Sequence, residues 1–219
     1  MKLVIVFFAF LLVFLGCERD LGFNTFEVIS GYRIEGRATD RIGNPVRNVD
    51  VRVFYDYEYM DYNAPPTKEY DVPGSTPTVT VVVRNRAGQL IRTLFSGNPP
   101  AGPFVIDWDK KDVNGNDVPS STYSVHYDVN NVSQKSYTVT VDGTIVTRTD
   151  TLGRYTVPGD NLPVGYYPVP IFSSSGSTFF GNHRITSLVR LSFVTPSRSR
   201  TVSVTLLKDR VTLVDVIIG

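Results

Sequence analysis

From Tyr32 onward, apolar and polar residues alternate with a period of two, in short runs broken by Gly, Asn, Asp and Pro. That period sends successive side chains to opposite faces of a strand, one buried and one wet. Ile34, Gly36 and Ala38 alternate with Arg33, Glu35 and Arg37. A turn at residues 40–45 follows, and then Val49, Val51, Val53 and Tyr55 alternate with polar neighbours. The two runs are expected to form an antiparallel hairpin. Val79, Val81 and Val83, the turn at 85–88, and Leu90, Arg92 and Leu94 predict a second hairpin. Strands are expected at 104–109 and 122–127, with the Asn114-Gly115 pair as a tight turn between them. Tyr137, Val139 and Val141 are expected to pair with 145–149 across Asp142-Gly143, and 201–206 with 211–217 as a terminal pair. Tyr, Val, Thr and Phe dominate these runs and favour strands. No persuasive run of apolar residues falls at helical spacing, so the chain reads as all-β.

The N-terminus is different. Met1-Lys2 gives a positive start, residues 3–15 are an unbroken apolar run, and Phe14-Leu15-Gly16-Cys17 closes it. The run is short for a membrane-spanning helix, which needs about 20 residues. It has the order of an export signal: charge, apolar stretch, small residue. A cut directly before a cysteine resembles the lipobox of bacterial lipoproteins. Gly16 and Cys17 match that pattern, and Phe14 stands where the family most often has Leu. The resemblance implies that residues 1–16 are a signal peptide and that Cys17 is lipidated. The protein is then expected in the cell envelope, held to the membrane by acyl chains. The outer membrane is the expected site, with the protein facing the periplasm or the surface. Residues 17–31 lack periodicity and are expected to act as a tether.

Composition narrows the partners. Lys and Arg number 22 against 21 Asp and Glu, a net charge of +1, so no overall field points to nucleic acid. Cys17 is the sole cysteine, so no internal disulfide can form.

Two further resemblances rest on longer stretches. Residues 34–40, Gly43-Asn44-Pro45-Val46 and residues 49–53 resemble the opening of a carboxypeptidase-regulatory-like domain, a transthyretin-like β-sandwich. That family's second half carries Thr-Asp-x-x-Gly-x-Tyr and then Leu-Pro-x-Gly. Thr149-Asp150-Thr151-Leu152-Gly153-Arg154-Tyr155 and Leu162-Pro163-Val164-Gly165 match both in order. The stretch 79–129 resembles the immunoglobulin-like module of the flagellar hook-capping protein. It does so through residues 83–88, 91–94, Ala101-Gly102, Asp107-Trp108-Asp109, residues 112–118 and Tyr123. Lys110 stands where that family has Gly, and Ser121-Thr122-Tyr123 lacks its usual Gly. The expected fold is therefore two small antiparallel β-sandwiches. A transthyretin-like one (32–57 plus 134–219) is split by an immunoglobulin-like one (76–131), with 58–75 as a connector. Neither resemblance implies catalysis.

Candidate chemistry is sparse. Asp109, Asp112, Asn114, Asn116 and Asp117 crowd one loop, and calcium takes six to eight such oxygens. No glutamate closes the loop, and the Asn-Gly pair already reads as a turn, so no metal is assigned. Asp150-Thr151-Leu152 resembles a short bacterial O-glycosylation signal. His126 and His183 are far apart, too few for a zinc site. No Gly-x-Ser-x-Gly elbow is present. Neither a cofactor nor an enzymatic reaction is expected. Trp108, the only tryptophan, is expected at the centre of the second core. Arg184, Arg190, Arg198 and Arg200 bias the C-terminal third and read as solvated strand faces. Tyr57, Tyr59, Tyr62 and Tyr70 are the candidate contact surface, since tyrosine combines flat apolar area with a polar tip. The leading expectation is a spacer and interaction module with an envelope protein partner. The alternative is a glycan-binding accessory lipoprotein.

Overall fold

The structure is a computed structural model that describes residues 31–61, 68–74, 77–172 and 178–219. The expected signal peptide, Cys17, nearly all of the tether, Tyr62 and the serine-rich stretch 173–177 lie outside the described residues. Among the described residues no helix is long and apolar enough to cross a membrane.

The chain is an all-β protein with two apolar cores. The strands in order are β1 (Tyr32–Thr39), β2 (Asp50–Asp61), β3 (Tyr70–Val72), β4 (Val79–Arg84), β5 (Leu90–Gly97) and β6 (Gly102–Phe104). Then come β7 (Ser121–Val129), β8 (Val132–Val141), β9 (Ile145–Arg148), β10 (Arg154–Val157) and β11 (Gly165–Phe172). β12 (Thr178–Val194), β13 (Ser199–Thr205), β14 (Arg210–Leu213) and β15 (Val216–Ile217) complete the set. One short 3-10 turn, Gly159–Asn161, follows β10.

The first core lies between two sheets. One runs β10-β1-β14 with β15 also on β1, and the other runs β11-β12-β2-β9 with β13 on β12. Alternation decides what enters the core. Val51, Val53 and Tyr55 point in while Arg52, Phe54 and Asp56 stay partly or fully in solvent. Leu191 and Phe193 do the same from β12. Ile34, Ala38, Tyr155, Val157 and Val216 close the layer from the opposite sheet. Each fully buried Val, Ile, Leu or Phe contributes about 1.5–3 kcal/mol of transfer free energy. The second core is covered by the sheet β5-β4-β7-β8 and by the two-stranded β3-β6. It gathers Val79, Val81, Val83, Val125 and Tyr127 against Val72, Trp108 and Val118.

Several connections differ from the sequence reading. β1 and β2 do not form a hairpin, because they lie in different sheets. The turn after β1 folds back only as far as Val46, whose N–H donates to the Ala38 carbonyl at 2.9 Å. Pro45 has no N–H to extend the pairing, and Asn48 at φ 54° swings the chain across to the other sheet. β8 and β9 also split, β8 pairing with β7 and β9 with β2. Residues 137–141 therefore pack in the second core, not with the first sandwich as the 134–219 assignment had them. The reason is a tight β7–β8 hairpin through Asn130 (φ 49°) and Asn131 (φ 65°). Asparagine tolerates this left-handed conformation without the glycine that usually signals it. The 58–75 stretch is not a connector throughout. β2 runs on to Asp61, and β3 joins β6 and buries Val72. β13 and β14 are not a strand pair either, since β13 adds to β12 and β14 lies parallel to β1.

Candidate interaction surfaces

Among the described residues one local structure recurs four times. At Asp40, Asn85, Asp112 and Asp150 an Asx residue opens a five-residue loop with Gly in the fourth position, at φ 89°, 78°, 81° and 73°. In each, the glycine N–H donates to the carbonyl of the Asx residue, whose own N–H donates to the carbonyl of the fifth residue. The Asx side-chain oxygen accepts the N–H of the fifth residue, at 2.8–2.9 Å in all four loops. In the three Asp loops it also accepts the N–H of the third residue.

This geometry accounts for the acidic loop. Asp112 Oδ1 accepts from the Asn114 and Asn116 N–H groups, and Oδ2 accepts from the Asn116 amide at 3.3 Å. These donors, the Asn116 N–H foremost, hold its carboxyl below the usual carboxylate range. Asp109 faces the other way, taking both oxygens to the Arg92 guanidinium at 2.9 and 3.1 Å. Asp117 pairs with Lys111 at 3.2 Å. The calcium candidates Asp109, Asp112, Asn114 and Asn116 thus do not converge on one point. Among the described residues no group of three or more His, Cys, Asp or Glu is placed to hold a metal. Thr151 sits at the exposed tip of the Asp150 loop, and the Asp150 carboxylate is turned inward on the backbone.

The tyrosines do not form one surface. Tyr57 packs against the first core, edge-on to His183 at 5.3 Å, with its hydroxyl donating to Asp142 at 3.3 Å. Tyr70 stacks on Tyr127 at 5.6 Å in the second core. Tyr59 lies on β2 opposite His183. Trp108 is 8% exposed, meets Tyr123 edge-on at 5.1 Å, and donates its indole N–H to the Lys111 carbonyl. The Tyr123 hydroxyl donates to the Pro119 carbonyl, and burial raises its pKa to about 12. His126 bonds two hydroxyls on the β7–β8 face, Ser124 at 2.8 Å and Ser133 at 3.3 Å.

The two sandwiches meet through a buried polar junction absent from the sequence reading. Ser120 is fully buried. Its Oγ accepts the Thr144 N–H at 2.9 Å and donates to the Thr144 carbonyl at 3.0 Å. Its carbonyl accepts the Asn161 amide at 2.8 Å, and the Ser121 hydroxyl donates to the Asp160 carbonyl. Tyr55 closes the set by donating to the Asn161 carbonyl at 3.0 Å, and Arg86 reaches the Gly159 carbonyl at 2.8 Å. Beside this junction an open groove of about 370 Å³ runs between Arg84, Arg86, Tyr123, His126 and Tyr167. Nothing in the sequence marks the junction, because Ser120, Thr144 and Asn161 are ordinary loop residues far apart along the chain.

Residues 58–133 match the family model of the FlgD Ig-like domain. The match covers β3 to β7, the strands around the second core apart from most of β8, and identifies that part as an Ig-like module. Neither the curated proteins nor the solved structures contain a match to this chain.

Proposed function

We propose that the chain is a non-enzymatic, lipid-anchored envelope protein whose two β-sandwiches serve as a spacer and interaction module. The observation that carries this reading is the buried junction at Ser120, Thr144 and Asn161, which ties the two cores into one body. A tethered spacer needs such a joint, because a freely jointed pair would not hold a partner at a fixed distance. The leader of residues 1–16 followed directly by Cys17 supports anchoring, and the FlgD Ig-like match supports a module that works through its edges and loops. The tyrosine-based glycan reading has less support, since Tyr57 and Tyr70 pack into separate cores.

Detergent phase partitioning of the protein expressed with its leader tests the reading. The wild-type chain is expected in the detergent phase and the membrane fraction, and Cys17→Ser in the aqueous phase. Equal partitioning of the two would contradict it.

A further inference from the structure

One end of the first sandwich gathers four arginines from two loops. Arg41 and Arg47 come from the β1–β2 connection, and Arg198 and Arg200 from the β12–β13 turn and the start of β13. All four are exposed. They line three adjoining open clefts of about 440, 210 and 440 Å³, with Arg198 common to all three. Among the described residues no carboxylate pairs with any of the four. The one acidic side chain in the lining, Asp40, is engaged by the Ile42 and Asn44 N–H groups and the Asn44 amide. Elsewhere on this molecule several cations have carboxylate partners. Arg92 pairs with Asp109, Arg148 with Asp50, Arg184 with Glu58 and Lys111 with Asp117. Gly219, the last residue described, also lines two of the clefts beside Arg41, and its terminal carboxylate and Asp40 offset only part of the four arginine charges, so this end keeps a positive excess.

Like charges held together repel one another and lower stability, and a bound anion relieves that repulsion. The guanidinium fork matches carboxylate and phosphate geometry. Between the forks the clefts present Asn48, Ser197 and Ser199, suited to hydroxyl groups. Pro196 and Ile218 offer apolar floor. Three open clefts that adjoin through Arg198 fit repeating units of a chain, whereas a small metabolite is held in one enclosed cavity. The geometry points to this end as a binding site for an acidic polysaccharide, its acid groups on Arg41, Arg198 and Arg200 and its hydroxyls on the serines and Asn48. The end lies at the far end of β1 from Gly31, about 26 Å away along the strand. It therefore faces away from the expected tether. The inference adds a partner class to the interaction-module reading, on which it rests, and does not depend on acylation.

Calorimetric titration of the purified full-length chain with polygalacturonate oligomers at low salt tests it. Neutral dextran and poly-glutamate are the comparators. The oligomer is expected to bind, with affinity falling as salt rises and by about tenfold for each of Arg41→Ala and Arg198→Ala. Arg198→Lys keeps the charge but loses the fork, and is expected to fall between. Dextran is expected not to bind. These residues are exposed, and an unchanged far-UV circular-dichroism melt will verify that the variants fold. Absence of oligomer binding, binding indifferent to the arginine substitutions, or equally tight binding of poly-glutamate would each overturn the proposal. Anchoring through Cys17 stands or falls separately, on the partitioning experiment.

Discussion

His183 and Asp142 flank Tyr57, and desolvation shifts their pKa values in directions with opposite consequences. Desolvation lowers the pKa of His183 below its ordinary 6.5. As pH falls, the unfolded chain takes up that proton before the folded one does. The stability contribution is whole above about 6.5 and is lost as pH drops through the native value. His126 is shifted the same way, again chiefly by desolvation. Asp142, exposed as a residue, is raised, partial desolvation of its carboxyl outweighing the donors at Tyr55, Tyr57 and Gly143. Its contribution is present below about 3.8 and is lost as pH rises through its native value. Denaturant melts as a function of pH are expected to show stability declining below about 6.5, with a shallower decline in His183→Gln. An unchanged slope would remove His183 from the account. The Asx loops give a second residue-scale prediction. Asp112→Ala is expected to lower the melting temperature and Asp112→Asn to restore it, because Asn85 already performs the same task in its own loop. Gly115→Ala is expected to cost about 1–2 kcal/mol, since φ is +81° there. These loops were legible as turns from Asp, Asn and Gly. Their shared hydrogen-bond pattern was not, because the same oxygen-rich spacing also suits a cation.

Most strands followed from period-two alternation, but β11 and β12 did not, the strand expected at 104–109 ends at Phe104, and strand partnership did not follow either. The β4–β5 hairpin forms as its turn implied, while the expected β1–β2 and β8–β9 hairpins are arches between sheets. A turn signal fixes where the chain reverses, not whether the returning strand stays in the same layer. The Asn130-Asn131 turn escaped notice for lack of a glycine, and with it the correct home of β8. Gly36 shows a constraint invisible in pattern alone. It sits at the changeover where β1 passes from β14 to β15, and a Cβ there would collide with the Val214 carbonyl. That carbonyl also accepts the Tyr155 hydroxyl at 2.6 Å. Gly36→Ala is expected to destabilise by about 3 kcal/mol, measurable by chemical denaturation. A change within about 0.5 kcal/mol would show that the parallel β1–β14 pairing is not what closes this sheet.

At the scale of the molecule, the all-β class and the Ig-like module were readable from residues 79–129, whereas the surfaces that matter were not. Arg41 and Arg198 are separated by most of the chain, and Ser120, Thr144 and Asn161 carry no motif. Their proximity is a product of topology. Ser120→Ala would leave the part-buried Thr144 N–H without its acceptor, at a cost of about 1–3 kcal/mol. Trp108 is the sole tryptophan and lies in the second core, so its fluorescence follows that sandwich. In the wild-type chain its transition is expected to coincide with the far-UV transition of the whole protein, and in Ser120→Ala to precede it. Separate transitions already in the wild type would mean that the junction does not couple the cores. Anchoring decides whether this rigid body works at an envelope membrane at all, so its most direct measurement is the intact mass of the native N-terminus. The account predicts loss of residues 1–16 and an acylated Cys17. A chain that begins at Met1 and carries a free thiol would contradict it.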